Sequence, residues 1–593
     1  MDSQNPSLFI TYPYIFILLV FIKNSCKKVL NTARTHKPAM KEYIAHIRKI
    51  LGKKTGIKDL QLEVPRELSH GDLALPCYQL SKEKKAPPGK IAEELAKEIQ
   101  PDEYIESANA LGPYLNFFLK KDRLLKELFS ASKKKSLLEP QSQGTVMVEY
   151  SSPNLNKPMH IGHIRNNLLG YSISLILESL GSKVIRANLY NDRGMGVSEA
   201  IYSYLYLSEK KEPEGKPDHF VGDLYVLFRK KQKENPELEE KAREILKRYE
   251  QGDKEVLEAW KKLTQWVMQG YEETYKRLGS KFDKVYWESG IFQEGKKIVE
   301  EGLKKGILAK KDGAVIAPLE SHGLPDKVLI KSDGTSLYIT QDLALAKKKF
   351  EDYPLDKSIY VVGSEQELHF AQLFKICELL GIAKAEKMHH LSYGLVLLPE
   401  GRMKSREGKV VDADEFLDKI TQLASEELSS RGIDNKALAE KIALSAVKFY
   451  MLMFEPRKDF VYSPEQSLSF EGESGVYVQY THARIQSVLE KSGISPGTLR
   501  PAFSQLNTEE KRLASLCAAF QKTVEAAAER HKPSLIATYL IRLCQEYNSY
   551  YHTHPILTAE KAQKENRLAL SYIVKEAIKE GLRMLDIEAL NRI

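Results

Sequence analysis

Two histidines with Ile161 and Gly162 between them, and Lys157 and Pro158 just upstream, mark the stretch of this chain best equipped for chemistry: Glu149 to Gly170 reads EYSSPNLNKPMHIGHIRNNLLG. The apolar run TVMVE precedes it and an apolar pattern at helical spacing follows. The segment therefore reads as a strand ending near Ser152, a loop over Pro153–Met159 and a helix beginning near His160. Loops at the carboxyl ends of parallel strands are where open α/β sheets bind ligands, and a helix N-terminus favours phosphate. His160 and His163, three apart, share one helical face and can both donate to phosphate oxygens. Gly162 lets a flat base approach the backbone. Phosphate handling is the chemistry this spacing suggests, although alone it is also the start of a helix with two ordinary surface histidines.

That loop needs a frame. Lys183–Tyr190 is a second strand signal and closes a βαβ unit, the usual opening of a parallel sheet. Residues 207–278 are dense in Lys and Glu at helical spacing and read as an inserted helical segment. Strand and helix signals resume from Ala314 to Leu398 and complete the sheet. From about Ala437 nearly every segment is helical, including YVQYTHARIQSVLEK and LIRLCQEYNSYY. Upstream, Met40 starts an amphipathic helix with Tyr43, Ile44, Ile47, Ile50 and Leu51 on one face; HGDLALP (His70–Pro76) is turn-like and Tyr114–Lys120 strand-like. A lysine-rich stretch from Ala131 to Gly144 reads as a linker. The expected fold class is α/β and multidomain: an extension over 1–39, a small α+β domain over 40–125, a Rossmann-like parallel-sheet domain over 140–436 with a helical insertion, and an all-α domain over 437–593.

At 593 residues the chain exceeds what one hydrophobic core serves. Of its net charge of +9, Lys23, Lys27, Lys28, Arg34 and Lys37 against Asp2 account for +4, which leaves +5 on residues 40–593. Basicity that mild is weak support for a polyanion partner. Cys26, Cys77, Cys377, Cys517 and Cys544 include no CxxC pair, which speaks against a disulfide framework or structural zinc and suits a reducing cytoplasm. The apolar run Leu8–Ile22 is shorter than the roughly 18–20 residues of a spanning helix, is interrupted by Pro13, and lacks the preceding positive charge of a secretory signal. Translation beginning at Met40 is the preferred reading, with residues 1–39 outside the functional fold.

HIGH at His160–His163 resembles the first signature of class I aminoacyl-tRNA synthetases, and the wider run from Glu149 resembles its arginyl-tRNA synthetase version. NDRGMG (Asn191–Gly196), TSLYITQDLALA (Thr335–Ala346), GSEQELHFAQLF (Gly363–Phe374), GRMKSREGKVV (Gly401–Val411) and the helical tail follow in that family's order. The resemblance spans about residues 40–593. It implies an enzyme that joins the carboxylate of arginine to the α-phosphate of ATP, releases pyrophosphate, and passes the arginyl group to the terminal ribose of its tRNA. Such chemistry rests on positioning and on stabilising developing negative charge. The resemblance puts His160 and His163 on the α-phosphate, with Pro158 and Gly162 completing that side of the ATP site.

Gly401–Gly408 resembles the KMSKS loop and would offer Arg402, Met403, Lys404, Ser405 and Arg406 to ATP, Lys404 being counted with the catalytic groups. Ser405 stands where the loop's second lysine belongs. In arginyl enzymes lacking that lysine, one just before HIGH is thought to substitute, here Lys157; the competing reading is a solvated loop lysine. A guanidinium is best matched by carboxylates, and the resemblance assigns arginine to Glu149, Ser151, Asn154, Tyr338, Asp342 and Gln366. Tyr338 and Asp342 share a face if their segment opens a helix. It also sets Tyr114 and Asn116, on one face of a strand, against an unpaired D-loop nucleotide, and the anticodon on the helical tail at Tyr477 and Tyr480. The extreme end, MLDIEALNRI, departs from the family's usual terminus. The expectation is a cytoplasmic, monomeric arginyl-tRNA synthetase using Mg2+-ATP, arginine and arginine tRNA, with no zinc and no membrane partner. The alternatives are a sibling class I synthetase and a catalytically inactive tRNA-binding homologue.

Overall fold

A computed structural model describes residues 39–57, 60–65, 67–134, 137–141, 144–398, 401–402 and 411–593. Leu8–Ile22 and the loop residues Met403, Lys404, Ser405 and Arg406 lie outside these described residues. The chain divides into two compact units, Met1–Glu63 with Leu73–Leu119, and Val64–Asp72 with Lys120–Ile593.

The smaller unit holds α1 (Ala39–Thr55), β1 (Leu73–Pro76), α2 (Pro88–Glu98), β2 (Ile105–Leu111) and β3 (Tyr114–Leu119), its strands ordered β1-β3-β2 and antiparallel. Tyr43, Ile47 and Leu51 on one face of α1 are fully buried, as their spacing predicts. HGDLALP is a turn only at its start: Gly71 adopts φ 101, and Leu73–Pro76 then pair with Tyr114–Phe117. Leu73, Ala74 and Leu75 are all buried, so the strand lacks the alternation by which a half-buried strand is recognised.

The larger unit is built on five parallel strands. β4 (Thr145–Glu149) is followed by α3 (Ile161–Ser179), β5 (Lys183–Tyr190), the inserted helices α4 (Pro217–Glu234), α5 (Leu238–Glu250) and α6 (Lys254–Leu278), and β6 (Lys284–Trp287). After α7 (Glu288–Lys304), a small antiparallel sheet of β7 (Ala309–Lys311), β8 (Ala314–Ala317) and β9 (Lys327–Ile330) precedes α8 (Tyr338–Asp352), β10 (Lys357–Gly363), α9 (Glu367–Leu379) and β11 (Met388–Tyr393). The main sheet runs β11-β10-β4-β5-β6. Winding steps one way from β4 to β5 and β6 and the other way to β10 and β11, which opens a crevice beyond the carboxyl ends of β4 and β10. α3 is buried almost all round, and Gly170 is what lets it lie against the end of β4: a Cβ there would fall 2.3 Å from Tyr150 Cβ.

β12 (Val396–Leu398) pairs with β13 (Gly401–Arg402) and, in parallel, with β14 (Phe460–Val461), so a short strand lies within the stretch expected to be helical in nearly every segment. Between and beyond them lie α10 (Ala413–Ser430), α11 (Lys436–Met453), α12 (Gly475–Lys491), α13 (Thr508–Arg530), α14 (Ser534–Thr553) and α15 (Lys561–Met584). The stretch from Ala131 to Gly144 is not wholly a linker, because a helix over Lys121–Lys133 runs into it. No helix among the described residues is long and apolar enough to cross a membrane.

Candidate active site

β4 ends in a turn held by side-chain amides. Ser151 and Ser152 have φ of 72 and 45, a region that costs non-glycine residues about 1–2 kcal/mol each. Ser151 N–H donates to Asn166 Oδ1 at 2.5 Å and Ser152 N–H to Asn188 Oδ1 at 3.0 Å, both asparagines being buried. The Ser151 hydroxyl is engaged by Tyr275 OH at 2.6 Å and Asn167 Nδ2 at 3.2 Å. The loop that follows is fastened by Tyr271, whose hydroxyl donates to Asn154 O at 2.9 Å and Lys157 O at 2.7 Å.

His160 is the N-cap of α3, with extended φ −130 and ψ 172, rather than a residue of its first turn. Its backbone N–H donates to His163 Nδ1 at 3.1 Å, while its own Nδ1 accepts from Gly162 N–H at 3.1 Å. The result is a capping box built from two imidazoles, with ring centroids 3.9 Å apart. The rings meet through the cap and not through a shared helical face. Because both Nδ1 atoms accept, the proton of each neutral ring sits on Nε2, so both Nε2–H groups are free to meet a ligand. Burial, with Lys157 adding to it, lowers His160 to about 4. Burial, then His160 and Lys157, hold His163 well below the usual range. A Cβ on Gly162 would lie 3.0 Å from His160 Cε1 and Nδ1. The glycine is thus explained by the folding-back of His160, a reason different from the approach of a base.

Lys157 is half-buried, and burial lowers its pKa. No carboxylate among the described residues pairs with it, which leaves a cation beside two neutral donors. Pro158 and Met159 lead from it into the cap. Val411–Ala413, the described residues that follow the predicted KMSKS-like loop, are laced to this segment: Ile161 N–H donates to Val411 O at 3.3 Å, Ala413 N–H to Met159 O at 2.9 Å, and His160 forms a β-bridge with Asp412. The preceding residue, Arg402, is paired through its backbone with Leu397.

Two sets of residues that the sequence did not disclose brace this arrangement. Arg165 on α3 is fully buried and donates to Pro456 O at 2.7 Å and Lys458 O at 3.0 Å, its guanidinium 4.6 Å over the Phe460 ring. Lys216, at the start of α4, places Nζ 3.1 Å from Asp218 Oδ2, 2.7 Å from Thr274 Oγ1 and 2.6 Å from Asp414 Oδ2. His219 Nε2 lies 3.4 Å from Asp412 Oδ2. Burial would raise Asp414, but nearby His219 and the hydrogen bond from Lys216 hold it at about 2. Asp218, His219 and Asp414 are spaced as metal ligands would be, yet the Lys216 ammonium already sits between the two carboxylates.

The residues predicted to hold arginine sit at the ends of β4 and β10, in the loop after β4 and at the start of α8. Glu149 ends β4 and is 6% exposed, with Oε2 2.5 Å from Lys349 Nζ. Asn154 is exposed and its Oδ1 accepts from Asn191 Nδ2 at 3.1 Å. Tyr338 opens α8 and is 78% exposed, and Asp342 lies one turn on, 2.7 Å from His369 Nε2. Gln366 is exposed just past β10. Sequence reasoning missed Glu288 and Asp192. Glu288 is buried and accepts from Gln341 Nε2 at 3.3 Å; burial pushes its carboxyl up to about 7, with Arg193 opposing and Asp192 and Asp342 adding. Asp192, of NDRGMG, accepts from Ser289 N–H at 2.9 Å and Oγ at 2.5 Å, which fixes the start of α7.

The residues expected to meet tRNA differ in availability. Tyr114 is half-buried, its ring 6.2 Å edge-on from Tyr78, and Asn116 is 4% exposed. Tyr477 is half-buried and its hydroxyl accepts from Asn548 Nδ2 at 2.9 Å, so it serves packing of the helical region. Tyr480 lines a pocket of about 620 Å3 with Arg484, Lys491, Tyr551 and Arg592. The Arg484 guanidinium sits 4.9 Å from the Tyr480 ring and 5.6 Å from Tyr551, a flat cationic and aromatic surface.

Three family models match the chain: "Arginyl tRNA synthetase N terminal domain" over residues 39–119, "tRNA synthetases class I (R), catalytic domain" over 125–463, and "DALR anticodon binding domain" over 478–593. The arginine–tRNA ligase of Treponema denticola is 39% identical over 557 residues, covering 89% of this chain and 94% of that protein. That of Phocaeicola vulgatus is 38% identical over 598 residues, covering 93% and 98%. The solved structure of Thermus thermophilus arginyl-tRNA synthetase superposes with a TM-score of 0.81 at 29% identity, covering 94% of this chain and 99% of that one.

Proposed function

The chain belongs to the arginyl-tRNA synthetases, and from that premise we propose how its own residues divide the work. The reaction is the family's: arginine and ATP give arginyl-adenylate and pyrophosphate, and the arginyl group then passes to the terminal ribose of arginine tRNA with release of AMP. In the first step the arginine carboxylate attacks the α-phosphorus in line, so negative charge gathers on the non-bridging oxygens. The observation that carries the assignment of roles is the pair of neutral rings at His160 and His163, each with Nδ1 accepting and Nε2–H without a partner among the described residues, beside Lys157, which no described carboxylate pairs. We assign His160 and His163 as phosphate donors that take no proton, and Lys157 as the cation that stands in for the lysine absent at Ser405. Pro158 and Gly162 shape that wall, and Arg402, Met403, Lys404, Ser405 and Arg406 supply the loop side.

Arginine binds between Glu149, Asn154, Tyr338, Asp342 and Gln366, with Glu288 as a further carboxylate at the guanidinium end. Ser151 holds the turn beneath. ATP enters as its Mg2+ complex, as a substrate. Zinc has no part in this reading: among the described residues the one group spaced as metal ligands would be, Asp218, His219 and Asp414, contains no cysteine. Residues 40–125 take the D-loop through Tyr114, with Asn116 buried in the strand behind it, residues 140–436 catalyse, and residues 437–593 take the anticodon, with Tyr480 facing it and Tyr477 supporting. The enzyme acts as a cytoplasmic monomer.

The test is arginine-dependent ATP–pyrophosphate exchange, with and without cognate tRNA, on the wild type and Lys157→Ala. Exchange with arginine alone among amino acids, lost by about 10²-fold or more in Lys157→Ala as for removal of one oxyanion donor, is the expected result. Wild-type rates in Lys157→Ala would remove Lys157 from the site.

A further inference from the structure

We infer that Lys349 is a positioning residue for arginine, acting through Glu149; the inference rests on the reading of Glu149 as an arginine ligand. Lys349 lies seven residues after Asp342 on α8, two turns along, so both face the end of β4. Its side chain is fully buried, with Nζ 2.5 Å from Glu149 Oε2 and 3.8 Å from the centroid of the Tyr360 ring. Neither Nζ nor Oε2 has a hydrogen-bond partner among the described residues. The pair is thus held by charge and by the aromatic face, with unspent hydrogen-bonding capacity on both members.

A carboxylate this deeply buried without a cation takes up a proton and becomes a poor acceptor for an ammonium or guanidinium. Lys349 supplies the cation that Glu149 faces and fixes Oε2 on the inner side, which leaves Oε1 for the substrate. It also limits repulsion, since Glu149 shares the crevice with Asp342 and Glu288. Burial lowers the Lys349 pKa and Glu149 opposes that fall. A buried pair of this kind seldom adds stability over well-packed apolar residues of similar volume, so its place beneath the crevice favours a task at the site.

The experiment compares Lys349→Met, Lys349→Arg, Glu149→Gln and the double variant Glu149→Gln/Lys349→Met in the full chain. It reads KM for arginine and for ATP, kcat, the pH profile of arginine KM, and Tm. Expected in Lys349→Met is an arginine KM raised about tenfold or more near pH 7 and ATP KM within about twofold. Its arginine KM should also fall with rising pH in a way the wild type's does not. Lys349→Arg keeps the wild-type profile. The double variant regains Tm, having no uncompensated charge, but not arginine affinity, and it carries the comparison if Lys349→Met does not fold. An unchanged arginine KM and pH profile in folded Lys349→Met, or recovery of both Tm and arginine KM in the double variant, overturns the inference. An unchanged arginine KM in Glu149→Gln removes the underlying reading of Glu149 itself.

Discussion

A carboxyl that titrates near neutrality is an uncommon neighbour for a permanently cationic side chain, and Glu288 is one. Its folded pKa of about 7 lies above the ordinary carboxyl value of 4.5. Its contribution to stability is therefore full below the unfolded value and is lost as pH rises through 7, amounting to about 3 kcal/mol by pH 8. A guanidinium reverses the preference, since it binds only the ionised form. Arginine KM should fall as pH rises toward 7, by up to about tenfold per pH unit, and level off above it. Glu288→Gln should flatten that limb and raise KM; steady-state KM for arginine from pH 5.5 to 8.5 measures both. The residues legible in the sequence, His160, Gly162, His163 and Lys157, sit within seven positions of one another. Glu288 was illegible because WESG carries no pattern and Asp342 is brought to it only by the packing of α7 on α8. The tautomers of His160 and His163 were equally hidden, since caps are expected from Ser, Thr, Asn or Asp.

The elements that matter most are those whose ends meet at the cap. α4, α6 and α10 converge on Lys216, Thr274 and Asp414, and Asp412 both caps α10 and bridges to His160. In Lys216→Met, Asp218 and Asp414 would face each other without a cation, a loss of about 3–5 kcal/mol for a broken buried pair. The residues laced to His160 would lose their brace, so KM for ATP should rise severalfold while KM for arginine moves little. Differential scanning calorimetry and substrate-resolved kinetics separate the two effects. Periodicity read β5 to the residue and α3 to within one, because each carries one uninterrupted pattern. It misread β1, buried on both faces, and β14, two residues long inside a helical region. Neither offers enough residues for a period to show.

Across the whole of the larger unit, the end of α15 and the segment after it tie together helices remote in sequence. Ser172 Oγ on α3 donates to Met584 O at 2.7 Å, Lys448 Nζ on α11 to Asp586 O at 2.8 Å, and Gln479 Nε2 on α12 to Glu588 O at 2.7 Å. His482 Nδ1 lies 2.8 Å from Leu590 O, where the ring must be the donor. Removing residues 588–593 would strip two of these bonds and leave Gln479 and His482 unpaired in the interior, a loss of about 2–4 kcal/mol. It would also take Arg592 from the pocket beside Tyr480. KM for tRNA should rise about tenfold or more, while KM for arginine at saturating tRNA stays near wild type; aminoacylation kinetics and thermal melts on the truncated chain read both. MLDIEALNRI showed only a departure from a pattern, since docking made through backbone carbonyls leaves no side-chain signature. The bond from Ser172 to Met584 spans 412 residues. Closing so long a span adds little to the equilibrium cost, because that cost grows only logarithmically, but contacts of such separation form late. The back of the helix that carries the two imidazoles is therefore covered late in folding, and until then the nascent sheet domain presents an apolar face that a chaperone or a second nascent chain can reach first.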